Sequence, residues 1–230
     1  MLFFPGASTN IFWQFGVVKY LQHHRVISSK TTCYAASAGA ITSALYLCNV
    51  EIDMAYRHAM HLYRVYNLSK RTFGVVGIWG YIVRLWLDDI LPNDCAETLS
   101  GRLHIFMSKV SSPMKPFIES TFRSKHDVIS CIMASCHIPF VLDLAPFASY
   151  RNNWFVDGQM LTRKENLIFK IPSPTEYLIT FDYSDHDDYI GFIKNIGFIK
   201  IIEEETIDKM IHFGYIYAMQ YKVHYLSKMI

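Results

Sequence analysis

Within its first 47 residues the chain changes hydrophobic period three times, with short connections between the changes. Leu2–Phe4 is a brief apolar run that Pro5 and Gly6 stop. The loop GASTN follows, and residues 11–22 then place Trp13, Val17, Tyr20 and Leu21 on one face at helical spacing. Residues 26–35 read as a second strand and Ala38–Leu47 as a second helix, with a tight turn between them. Strand, loop, helix, strand, tight turn, helix is the alternation of a parallel α/β sheet.

The rest of the chain continues in the same style. Residues 54–66 are amphipathic: Ala55, Ala59, Met60 and Tyr63 line one side, Arg57, His61 and Arg64 another. A helix is predicted over 81–91, where Pro92 stops it, and strands over 102–110 and 117–122. Ser124 with Asp127 resembles a capping box and starts a helix over 127–136, ended by Pro139. Residues 154–156 form a short strand running into Asp157-Gly158, 177–181 another, and 203–225 a long closing helix. IGFIK occurs at 190–194 and again at 196–200, too short a period for a solenoid. No domain boundary is visible, so one domain over residues 1–230 is expected.

Composition narrows the class. At 51% hydrophobic and 18% charged residues the chain is that of a folded globular protein. Its mean hydropathy of +0.15 is high, yet no apolar stretch is long enough for a membrane span. MLFFPGASTN has no basic region and too short an apolar run for a signal peptide, so a cytoplasmic location with peripheral membrane contact is expected. A net charge of +2 without Lys/Arg-rich runs argues against a nucleic-acid partner. The five cysteines are scattered with no CxxC, which predicts reduced thiols; Cys33, Cys131 and Cys136 lie in apolar runs, as small core residues do. No metal or other cofactor is expected, because HLYRVY and SDHDDY lack ligand spacing.

Three short stretches carry chemistry. In Ala35-Ala36-Ser37-Ala38-Gly39, small residues flank a serine between a strand and a helix, as in the G-x-S-x-G nucleophile elbow with alanine at the first glycine. FPGASTN sits between the first strand and first helix, where backbone N–H groups can cradle an anion. WFVDGQM puts Asp157 at the end of an apolar strand, the edge where sites form in a parallel sheet. Taken singly, each has an ordinary reading: a packing face, a loop with Ser8 or Thr9 as helix cap, and a turn.

Their order does more than any one of them. A Gly-bearing loop, a small-x-Ser-x-Gly turn, then ASCHIPF, then an apolar strand into Asp-Gly resembles the patatin-like phospholipase family, from about Leu2 to about Met160. GVVGIWGYIVRLWLDDILP is similar, more narrowly, to algal and viral members. The resemblance implies a three-layer α/β/α fold with a mostly parallel central sheet and a Ser–Asp dyad without histidine. It implies Ser37 as nucleophile, Asp157 as base followed by Gly158, Gly6, Ala7 and Ser8 as the oxyanion hole, and Ala35 and Gly39 as the elbow. The expected activity is that of a lipid acyl hydrolase (phospholipase A or lysophospholipase type) cleaving glycerolipid esters at a membrane or micelle surface. This chain departs from the family at four points. The glycine triplet is reduced to Gly6-Ala7-Ser8, the elbow lacks its first glycine, Asn10 stands near the usual basic residue, and Gln159 replaces Gly or Ala. The first strand is also short, and a start trimmed relative to the family is expected.

Two other functions stay open: a catalytically impaired lipid-binding relative, and a Ser-His-Asp esterase. For the latter, His186, His212 and His224 follow Asp157, but His186 lies in the acidic run SDHDD, read as a solvated loop, and the other two on the closing helix. His137 is read as a structural residue beside the site. For membrane contact, IGFIKNIGFIKII mixes Phe and Ile with Lys194 and Lys200, and the Arg57, His61, Arg64 face suits anionic head groups.

Overall fold

The computed structural model describes residues 1–71, 74–161, 178–194 and 203–222. The chain opens with β1 (Leu2–Phe4), α1 (Ile11–His23), β2 (Cys33–Ala36) and α2 (Ala38–Leu47). Next come α3 (Ile52–Val65), α4 (Trp79–Ile90), α5 (Cys95–Leu99), β3 (Leu103–Lys109), β4 (Lys115–Glu119) and α6 (Lys125–Ser135). The hairpin of β5 (Ala148–Tyr150) and β6 (Asn153–Val156) follows, then β7 (Ile179–Thr180), α7 (Asp187–Ile193) and α8 (Glu204–Tyr217).

The strands form one mixed sheet in the order β5-β6-β3-β2-β1-β7, with β4 also on β3. β7, β1, β2 and β3 run parallel, whereas β4 and β6 lie antiparallel to β3. Alternation along the strands sends Leu2, Phe4, Cys33, Ala35, Leu103, Ile105 and Met107 into the large core beneath the helices. Phe3, Tyr34, Ala36 and Phe106 are buried on the opposite face. Both faces are covered, as the α/β class with a central sheet requires.

One register detail positions the site. Phe106 pairs with Ala36 of β2 and with Ile118 of β4, so those strands flank β3 on opposite edges. Ser108 pairs with Pro116 of β4 and with Val156 of β6, so β6 takes the same edge as β2. The C-terminal ends of β2 and β6 therefore meet head-on along β3, one stopping beside Phe106 and the other beside Ser108.

Several expectations shift. The predicted strand over 26–35 shortens to Cys33–Ala36 because the polar run before it makes a turn, with Ser28 N–H donating to Thr31 Oγ1 at 2.8 Å and Thr31 N–H to Ser28 O at 3.1 Å. SDHDD is solvated except at its histidine: Ser184, Asp185, Asp187 and Asp188 are exposed. Asp187 and Asp188 occupy the first turn of α7, and His186 is buried, accepting from Trp13 Nε1 at 3.1 Å. Ser124 caps α6 as expected, its Oγ accepting from Asp127 N–H, but Asp127 Oδ2 takes the N–H of Arg123 instead of closing a capping box. The β5–β6 hairpin was not expected; it turns on Arg151 and Asn152, both at positive φ (44° and 60°), the geometry of a two-residue primed turn. Arg151 is held there by Glu119 and Asp127.

The closing helix is locked to the first one. A Cβ on Gly214 would stand 1.8 Å from Trp13 O, and one on Gly16 would stand 1.9 Å from Ile211 O, so α1 and α8 touch backbone to backbone. Residues 218–222 continue α8 as a π-helical turn. Phe198, Lys200 and His224 lie outside the described residues. Within them, Phe192 packs against Phe213, while Arg57 and Arg64 pair with Glu51 and Glu204. Among the described residues, no helix is long and apolar enough to cross a membrane.

Candidate active site

Ser37 is the single residue between β2 and α2, and its backbone is strained. Its φ of 52° and ψ of −130° are sparsely populated for a residue with a Cβ, at a cost of about 1–3 kcal/mol. Neighbours hold it there. Ser37 N–H donates to Ser135 Oγ at 2.8 Å, and Ser135 Oγ donates in turn to Phe106 O at 2.7 Å, tying the turn to α6 and β3. Gly39 lets α2 approach the end of β1, since a Cβ there would lie 2.0 Å from Phe4 O. Ala35, at the first elbow position, is fully buried in the sheet between Phe4 and Ile105, so its methyl group fits.

Asp157 arrives from the other side of the head-on junction. Ser37 Oγ donates to Asp157 Oδ2 at 2.6 Å; both residues are largely buried, at 8% and 7% exposure. Asp157 N–H donates to His137 O at 2.8 Å, and Ser108 Oγ donates to Asp157 O at 2.9 Å. Its second oxygen, Oδ1, accepts from Gln159 N–H at 2.7 Å, capping the turn Gly158–Met160. Asp157 is thus both a turn-capping aspartate and the partner of Ser37. Gly158 has no room for a side chain, because a Cβ would sit 2.1 Å from Phe106 O. Burial raises the Asp157 pKa above the ordinary carboxylate value, and the hydrogen bonds from Ser37 and Gln159 offset part of that rise. Burial first, and then the Asp157 charge, push the nearby Cys136 thiol well above its usual range.

The loop Gly6–Asn10 borders the serine. Gln14, fully buried on α1, donates to Pro5 O at 2.8 Å and accepts from Thr42 Oγ1 at 3.0 Å, fastening the loop to two helices. Neither Ser8 nor Thr9 caps α1; Asn10 holds that position without a side-chain cap bond, and its Oδ1 accepts from Tyr189 OH at 2.7 Å. Ser8 adopts φ 49°, so the loop reaches a left-handed conformation with a side chain at this point. Gly6 N–H donates to Gln159 Oε1 at 2.8 Å.

Two cavities meet at Ser37. One, of about 200 Å³, is apolar and runs between the helices past Phe15, Ile41, Ala59, Trp86, Met133 and Leu142. The other, of about 590 Å³, is more open and is edged by Gly6, Ala7, Ser8, Thr9, Asn10, Asp157, Gln159 and Tyr183. Among the described residues, no histidine lines either cavity. His186 serves Trp13, His212 is exposed, and His137 Nε2 faces Ala145 O at 3.2 Å. Among the described residues, no group of three or more His, Cys, Asp or Glu side chains is arranged to hold a metal.

The sequence stretches read as chemistry thus converge: Ser37, Asp157, Gly6, Ala7 and Ser8 share one cavity. Ser135, Ser108 and Gln14 were missed as site supports. Their signal was faint, a polar residue inside an otherwise apolar run. These features define an α/β protein with a strained, buried serine hydrogen-bonded to a carboxylate, beside an apolar cavity. The chain belongs to the patatin-like phospholipase family, whose model matches residues 2–163. It is 25% identical over 191 residues to the mouse (Mus musculus) 1-acylglycerol-3-phosphate O-acyltransferase Pnpla3, covering 81% of this chain and 44% of that protein. It is 27% identical over 158 residues to the mouse omega-hydroxyceramide transacylase, covering 67% and 26%. Against the human (Homo sapiens) patatin-like phospholipase domain-containing protein 2 it is 30% identical over 169 residues, covering 67% and 31%. The chain spans less than half the length of these curated relatives. Two of these relatives are named for acyl transfer and the third for a patatin-like phospholipase domain.

Proposed function

We propose that the chain is a serine lipid acyl hydrolase acting on glycerolipid esters through a Ser37–Asp157 dyad. The observation that carries this reading is the 2.6 Å hydrogen bond from Ser37 Oγ to Asp157 Oδ2 at the junction of an apolar and an open cavity. In the first step Ser37 Oγ attacks the ester carbonyl carbon while its proton passes to Asp157 Oδ2. Backbone N–H groups of Gly6, Ala7 and Ser8 receive the developing oxyanion, and the first turn of α2 adds a favourable dipole. Collapse of the tetrahedral species breaks the ester C–O bond, and Asp157 returns the proton to the departing alcohol. Water, activated by the same carboxylate, then releases the fatty acid and restores Ser37. The apolar cavity suits the acyl chain; the open one suits the alcohol portion and the entering water. An alcohol entering in place of water would give acyl transfer, the reaction that two of the relatives are named for. The lipid surface from which substrate comes belongs to this proposal.

A fluorophosphonate probe tests the reading directly. It is expected to label wild-type protein at Ser37, and Ser37→Ala should abolish labelling. Folded protein that stays unlabelled would favour the lipid-binding alternative. Retained hydrolysis in Asp157→Asn, together with loss in a histidine variant, would favour the triad instead.

A further inference from the structure

Gln159 bridges the two halves of the site. Its backbone is fixed on the acid side, where its N–H donates to Asp157 Oδ1 at 2.7 Å. Its side chain crosses to the loop, where Oε1 accepts from Gly6 N–H at 2.8 Å. The atom standing on that N–H is an amide carbonyl oxygen, the same kind of acceptor as the carbonyl oxygen of an ester. Gly6, Ser37 and Gln159 all line the open cavity, so the contact lies where a reacting carbonyl would have to come. The fit is close: a Cβ on Gly6 would stand 3.0 Å from Gln159 Cβ and 3.1 Å from Cγ. A side chain at position 6 would press on Gln159, whose side chain would have to give by a few tenths of an ångström. Gln159 is itself exposed, so its side chain can swing away without disturbing the core.

Resting on the acyl-hydrolase reading, we propose that Gln159 is a specificity-determining gate. In the free protein its amide oxygen occupies the Gly6 N–H donor, and only a ligand bearing a carbonyl or phosphoryl oxygen that displaces it gains that donor. The gate acts on ligands that need the donor and leaves alone those that merely fill the apolar cavity. Its effect is a population effect on the free enzyme: binding is weakened by the fraction of molecules in which the donor is free. A neutral, exposed hydrogen bond is worth about a factor of five to ten in such an equilibrium. Because the closed form is already excluded at saturation, the effect falls on KM and leaves kcat unchanged.

The test uses Gln159→Ala and Gln159→Met in the full chain, with melting temperatures as a check on folding. Methionine keeps the bulk and removes the acceptor. Exchange of the Gly6 amide proton, followed by NMR, is expected to quicken about five- to tenfold in both variants. With p-nitrophenyl butyrate, kcat/KM should rise by a similar factor through KM, and fluorophosphonate labelling of Ser37 should accelerate in step. Affinity for 1-decanol, which has no carbonyl, should not change. Gly6 exchange equal to wild type in both variants overturns the gate, as does a kinetic gain in Ala that Met does not share. Absence of Ser37 labelling in wild type and both variants would instead remove the acyl-hydrolase reading, while Gly6 exchange still decides whether Gln159 holds the donor.

Discussion

At the scale of single residues, Ser37 and Asp157 are both held in states that folding alone would not favour. Ser37 carries a strained backbone, and Asp157 carries a carboxylate in a buried place. Burial disfavours the charged form, so Asp157 keeps its proton to higher pH than a free carboxylate of pKa about 3.9. Asp157 must be ionised to accept the Ser37 proton. The acid limb of kcat/KM should therefore have its midpoint above about 4; a pH–rate profile with its limb at the ordinary value would contradict this. The same shift sets a stability trend. A raised folded-state pKa means that the Asp157 contribution is most favourable below its unfolded pKa and is lost as pH rises through the folded value. Asp157→Asn should then raise the melting temperature at pH 7, because a neutral amide removes the cost of the buried charge. The gain should shrink toward zero as melts are repeated down to about pH 3.5, below the pKa of a free carboxylate.

At the scale of elements, close backbone approaches decide which helix lies where. The α1–α8 contact depends on Gly16 and Gly214, each facing a carbonyl oxygen of the other helix. Backbone atoms cannot move aside as a side-chain tip can. Gly214→Ala should push the helices apart and cost about 1–3 kcal/mol, lowering the melting temperature by several degrees. Ser37 should still be labelled below the new midpoint, because α8 borders the site through Ile207 in the wall of the apolar cavity. Calorimetry with a labelling assay checks both halves of this expectation. Helix and strand types were readable wherever the apolar period was long, and Ala38–Leu47 matches residue for residue. Short elements escaped: α5 has five residues, and the β5–β6 turn uses Arg151 at φ 44°, which no turn preference announces.

At the scale of the whole molecule, the apolar cavity is a joint product of distant segments: Phe12 and Phe15 of α1, Ile41 of α2, Ala59 of α3, Trp86 of α4 and Met133 of α6 all border it. Its depth should set the acyl length accepted. Ala59→Phe fills part of it, and each excluded pair of methylenes should cost about tenfold in kcat/KM, at about 0.8 kcal/mol per methylene. Comparing p-nitrophenyl decanoate with the butyrate reads this; an unchanged ratio would mean that the acyl chain lies elsewhere.

Local pattern carried the α/β alternation, the two strand-end motifs and the loop before α1, because hydrophobic period, small residues and Asp-Gly leave a mark within a few positions. The local motifs marked Ser37 and Asp157 120 positions apart, and only the family resemblance paired them as a dyad. Their meeting was decided only in three dimensions. Asp157 was expected at the end of a parallel strand, but β6 is antiparallel, and it reaches Ser37 because β2 and β6 share one edge of β3. The burial of His186, the support from Ser135 and Gln14, and the placing of Gln159 on Gly6 are likewise long-range. Each depends on a partner far along the chain, and no local pattern encodes the distance between two residues that only packing brings together.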